Sequence, residues 1–148
     1  MAITVVDKEK ALWEWAKENP FLTDRLLFDY LDLKQGSCSI SPVSADERVK
    51  QFIDGSQLRQ YTFALQIILP VSDTSDLINL ENMYTMRTWQ EWINQQQREQ
   101  NYPDFGPNVI EYELFNMNNM PQMALRYENG IAKYQFFANI LYLELEDE

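Results

Sequence analysis

RVKQFIDGSQLRQYTFALQIILP, Arg48 to Pro70, carries the plainest structural pattern in the chain. Tyr61, Phe63, Leu65, Ile67 and Leu69 share one parity, and Gln60, Thr62 and Gln66 fall on the other. A period of two places alternate side chains on opposite faces of a strand, so one face is buried and the other is wetter. Asp54-Gly55-Ser56 interrupts the run before this alternation begins. Glycine takes the positive φ that a tight reversal needs, so the segment reads as a β-hairpin with Asp54, Gly55 and Ser56 setting the turn.

Upstream, Asp7 to Lys17 reads as a helix, with Asp7 as its cap and Leu12, Trp13 and Ala16 as its inward stripe. Trp15 falls to the side of that stripe and is a candidate interface residue. Leu26 to Leu33 is expected as a strand with one wet edge. Cys38 to Val43 is expected as a short extended piece ended by Pro42, with Ser44 to Glu47 as a polar link.

Downstream, Asp76 is the expected cap of a long helix whose apolar residues Leu80, Met83, Tyr84, Met86, Trp89, Trp92 and Ile93 recur at three- and four-residue spacings. Gln95 to Gln100 is its expected solvated end, and a Pro/Gly loop, Asn101 to Asn108, follows. Val109 to Phe115 alternates, with Ile110, Tyr112 and Leu114 inward and Glu111 and Glu113 outward. Met123, Leu125 and Tyr127 make a further strand. Asn129-Gly130 is the signal for a two-residue hairpin turn into a last strand, Ala132 to Leu143. Glu144 to Glu148 is expected as a disordered acidic tail.

The order is thus helix, strand, hairpin, seen twice, and RQYTFALQIIL (Arg59 to Leu69) resembles KYQFFANILYL (Lys133 to Leu143). This predicts a single α+β domain over residues 1–148, an antiparallel sheet covered on one face by two helices. Its exposed sheet edges invite pairing with a neighbouring subunit.

Composition removes several kinds of chemistry. The chain has no histidine, one cysteine and four glycines. That leaves no Ser-His-Asp arrangement, no imidazole ligands and little material for a phosphate-cradling loop. Cys38 reads as a small, partly buried residue. Asp29 with Asp32, or Glu111 with Glu113, have spacings that suit acid/base or cation chemistry, but solvated acidic faces look the same. No enzymatic activity and no cofactor or metal are expected. No stretch approaches the roughly 20 apolar residues of a membrane span, and the N-terminal stretch lacks the basic start and apolar core of a signal peptide. The expectation is a soluble, intracellular protein.

The formal net charge of −11, from 23 acidic and 12 basic residues, opposes binding to nucleic acid through its phosphates. It is compatible with an acidic protein that binds and blocks a basic nucleic-acid-binding partner. Eight tyrosines, among them Tyr30, Tyr61, Tyr112 and Tyr134, instead suggest an assembly surface. Tyrosine buries area at small entropic cost and keeps a polar tip.

Several segments together resemble one family. These are S-x-S-I-x-P-V (Ser37 to Val43), V-K-x-F-I-D-G-S-x-L-R-Q (Val49 to Gln60), W-x-x-W-I-x-x-Q-x-x (Trp89 to Arg98) and the loop Asn101 to Gly106. The pattern, which touches most of the chain in order, is similar to the minor capsid or tail terminator (head-tail joining) proteins of long-tailed phages and prophages of Gram-positive bacteria. The resemblance implies a tail-terminator-like α+β fold without enzymatic activity. It also implies a ring, commonly of six subunits, that caps the tail tube and meets the head connector. The protein would be made in the bacterial host cytoplasm and located in the virion, with DNA passing through the ring without specific binding. On this reading Asp54, Gly55, Ser56 and Arg59 set the first turn and loop tips and sheet edges carry the contacts, while Asn129 and Gly130 set the second turn by their own signal. Arg59, Trp15, Tyr102 and Phe105 are candidate interface residues.

Overall fold

A computed structural model describes residues 5–22, 24–117 and 121–145. Two helices and six strands follow in the order α1 (Lys8–Ala16), β1 (Leu26–Phe28), β2 (Cys38–Gln51), β3 (Gln57–Pro70), α2 (Asp76–Glu99), β4 (Val109–Asn116), β5 (Gln122–Arg126) and β6 (Ile131–Glu144). The strands form one sheet, ordered β1-β2-β3-β6-β4, with β5 also paired to β6. All pairings are antiparallel except β1 with β2. The α+β expectation, with its two helices and antiparallel sheet, describes this architecture.

The centre is the ladder of β3 on β6, in unbroken register from Gln57↔Glu144 to Pro70↔Ile131. The two segments that resemble each other in sequence therefore lie side by side, antiparallel. Their inward rows, Tyr61, Phe63, Leu65 and Ile67 with Tyr134, Phe136, Ala138, Ile140 and Tyr142, are buried. Leu12, Trp15 and Ala16 of α1 and Met86, Trp89, Trp92 and Ile93 of α2 join them in one core, so both helices cover the same sheet face.

Both hairpins turn alike. Phe52 N–H bonds to Ser56 O at 2.9 Å, and Tyr127 N–H bonds to Ile131 O at 2.9 Å. Each bond closes a three-residue loop ending in glycine, Gly55 at φ 90° and Gly130 at φ 77°. The second turn is thus not the two-residue type expected. That type requires positive φ at both central residues, and Asn129 is not among the residues with positive φ.

Four further expectations are corrected. The strand from Leu26 stops at Phe28, because Asp29 adopts φ 62°, a left-handed value that ends extended backbone. The short piece and polar link over Cys38–Glu47 are one long strand, β2, with register shifts between Pro42 and Ser44, Ser44 and Glu47, and Arg48 and Lys50. Beyond Ile40 it is an edge strand, where proline and bulges are tolerated. A bulge between Val109 and Glu111 leaves Ile110 exposed, while Leu114 is buried and Tyr112 packs against the core. Glu144 belongs to β6, not to a disordered tail, and residues 146–148 lie outside the described residues.

In α2 the buried row is Asn82, Met86, Trp89, Trp92, Ile93 and Gln96, joined by Gln90. Leu80 and Tyr84, expected inward, are exposed with Leu77. At roughly 100° per residue these three lie opposite the buried row. Within the end expected to be solvated, Gln97 is pinned instead: it accepts bonds from Tyr102 OH at 2.9 Å and Leu114 N–H at 2.8 Å. Asp76 opens the helix, but the cap position is Ser75. No helix among the described residues is long and apolar enough to cross a membrane.

Candidate functional site

The turn residues act as turn residues. Asp54 Oδ1 accepts from Ser56 N–H at 3.0 Å and Ser56 Oγ at 2.6 Å, which shapes the loop around Gly55. The expected interface residues are mostly internal. Trp15 is 3% exposed, donates its indole N–H to Asn101 O at 3.0 Å and packs 4.9 Å from the Trp92 ring. Phe105 is 1% exposed, between Tyr61 and Tyr142. Both belong to the core of this chain. Tyr102 is half-buried and stacks on Tyr112 at 5.0 Å. Arg59 is half-buried and donates to the Asp46 carbonyl at 2.7 Å.

Arg59 leads to a cluster that the sequence did not reveal. Lys8 Nζ lies 2.7 Å from Asp46 Oδ1 and 2.8 Å from Glu144 Oε2, and it donates to Tyr142 OH at 3.3 Å. Tyr142 OH in turn donates to Asp46. The ammonium also sits 4.9 Å from the Tyr142 ring centroid. Burial alone would raise the Asp46 pKa. The Lys8 and Tyr142 hydrogen bonds and the nearby Lys8 and Arg59 charges outweigh it, so the carboxyl is held below its usual value. Burial and the Asp46 bond push the Tyr142 phenol well up. Tyr61 behaves likewise, buried and bonded to Glu9 Oε2 at 3.1 Å. A protonated tyrosine and a paired lysine hold charge in place, so the network fastens the start of α1 to the end of the sheet.

The other chemical candidates are dispersed. Burial raises the Cys38 thiol to about 11, which suppresses the thiolate that reactivity needs. Glu111 and Glu113 are both exposed on the sheet face away from the helices, whereas Asp29 and Asp32 lie in the loop after β1. Among the described residues no group of three or more His, Cys, Asp or Glu side chains is placed to hold a metal ion.

The sheet face away from the helices carries a polar ladder. Ser41 donates to Gln66, and Gln66 to Gln135 at 3.2 Å. Thr62 donates to Asn139 at 2.9 Å, Asn139 to Gln60, and Gln60 to Glu47 at 2.8 Å. These side chains satisfy one another across strands, which keeps the face without helices wettable without leaving its buried polar atoms orphaned.

The sheet margins differ from that face. On one side β1 pairs only with Cys38, Ser39 and Ile40, and no other described strand pairs with the rest of the outer edge of β2. Val43, Val49, Phe52 and Ile53 are exposed along that side. On the other side β4 and β5 lie end to end along β6, with no described strand outside them. Ile110, Phe115, Met123 and Leu125 are exposed there. Apolar side chains on open strand edges are a template for association, which monomeric proteins usually blunt. No protein-family model matches the chain, and no curated protein matches it.

Proposed function

We propose that the chain is a ring-forming assembly protein of the phage tail terminator kind, which caps a tail tube and joins it to the head connector. The observation that carries this reading is that one sheet has two open edges among the described residues, on opposite sides, each with exposed apolar side chains. Heterologous contacts between two such edges generate closed rings when the rotation per subunit closes. The net charge of −11 suits a lumen through which DNA passes without adhering. The resemblance of Ser37–Val43 and Val49–Gln60 to tail terminator sequences supplies the tail tube and head connector as partners.

Sedimentation velocity and electron microscopy of the purified chain, alone and with purified tail tubes, test the reading. Rings in solution or at tube ends are expected. A chain that stays monomeric and ignores tubes sinks it. Salt-sensitive one-to-one binding to a basic DNA-binding protein would favour the acidic-inhibitor alternative instead.

A further inference from the structure

Resting on the ring reading above, we propose that the subunit contact is head-to-tail, the β2 edge of one copy against the β4 edge of the next, with the Lys50 cation meeting the Glu111 and Glu113 carboxylates. In a chain with nearly twice as many acids as bases, the charges at these two margins have opposite signs. Arg48 and Lys50 are exposed near the end of β2, and no ion pair engages either among the described residues. Asp46 is paired with Lys8, whereas Glu47 bonds only to the neutral Gln60 and Ser44 side chains and keeps its charge. Two cations, Arg48 and Lys50, against one acid without a cationic partner, Glu47, leave this end of the edge net positive.

β4 is the reverse. Its sequence VIEYELFN contains two acids and no base, and neither Glu111 nor Glu113 takes part in an ion pair among the described residues. The register places Lys50 opposite Leu58, and Glu111 and Glu113 opposite Leu143 and Leu141. All of these lie on the face away from the helices, because directly opposed residues share a face. A sheet continued from one copy into the next thus brings Lys50 and the two glutamates to the same side. Val49 and Ile53 on one margin, and Ile110 and Phe115 on the other, supply apolar area.

The alternative two-fold contacts are disfavoured by the same charges. A β2–β2 contact would bring Arg48 and Lys50 against their own copies, and a β4–β4 contact would oppose glutamates. The bulges in β2 prevent a long regular ladder. Selection of the partner edge therefore falls to side chains, through complementary charge.

The test uses the full chain with two substitutions that can only meet in a head-to-tail contact. Val49→Cys and Ile110→Cys are prepared separately, mixed and mildly oxidised; the native Cys38 is buried and stays silent. A cross-linked dimer is expected from the mixture and from neither variant alone. In parallel, Lys50→Glu and Glu111→Lys/Glu113→Lys are each expected to raise the subunit dissociation constant at least about fivefold at low salt. Combining all three reversals is expected to bring it back to within about twofold of the parent. Melting temperatures of each variant check that the monomer fold is intact. Cross-links from either single variant, or unchanged assembly in both charge reversals, overturn the head-to-tail edge contact while rings persist. Absence of any assembly in the parent chain overturns the ring reading itself.

Discussion

Lys8 is the residue whose surroundings say most about how this chain is held together. It is 8% exposed, and it bonds to carboxylates 38 and 136 positions away in sequence. Removing the ammonium leaves Asp46 and Glu144 facing each other beside Tyr142, so Lys8→Met should destabilise the fold by about 1–3 kcal/mol in urea titrations. A loss below about 0.5 kcal/mol would show the network to be incidental. The pH profile carries its own signature. Asp46 is held below its unfolded value of 3.8, so its contribution is present above that pH and is lost as pH falls through the folded value. Tyr61 and Tyr142 are raised above 10.0, so their contribution is complete below that pH and is lost as pH rises beyond it. In Lys8→Met the acid limb should become shallower, because the main partner lowering Asp46 is gone. An unchanged acid limb would assign acid sensitivity to other carboxylates. None of this was legible in the sequence. Lys8 follows a helix cap and Asp46 lies in a polar stretch, and nothing local indicates that they meet.

At the scale of the element, the hairpins show both what local grammar carries and where it stops. Asp54-Gly55 and Asn129-Gly130 mark two reversals correctly, because positive φ is costly for residues with a Cβ and glycine escapes that cost. Loop length was not legible for the second, since it depends on which N–H and C=O groups close the ladder. Tyr127 and Ile131 do so, leaving only Gly130 in the left-handed region of that turn. A Cβ at Gly130 would meet nothing within 4 Å, so its substitution tests backbone strain alone. Gly130→Ala should cost about 1–2 kcal/mol and Gly130→Asn less, whereas Asn129→Ala should stay within about 0.5 kcal/mol. Equal losses at Gly130 and Asn129 would contradict the three-residue turn. The long helix teaches a related lesson. Its apolar residues exceed what one face can bury, and Trp89 and Trp92, not Leu80 and Tyr84, face the sheet. Periodicity identifies an amphipathic helix, but packing selects its inner row.

At the scale of the whole molecule, fourteen consecutive residue pairs join β3 to β6, while β2 is bulged and every residue of β5 is exposed. Amide exchange in the monomer should therefore be slowest in β3 and β6 and fastest in β5 and in β2 beyond Ile40. On assembly, new protection should appear in β2 and β4 rather than along the exposed Leu77, Leu80 and Tyr84 stripe of α2. Protection confined to that helix would move the contact away from the sheet edges.

The sequence by itself determined the central elements: alternation specifies β3 and β6, three- and four-residue spacing the helices, and glycines at left-handed positions the reversals. Each is a local consequence of backbone geometry and side-chain period. Only the tertiary structure decided which edges stay open, that Trp15 and Phe105 are core, and that Lys8, Asp46, Tyr142 and Glu144 meet. These outcomes depend on pairings between segments far apart in sequence, and no local periodicity encodes those.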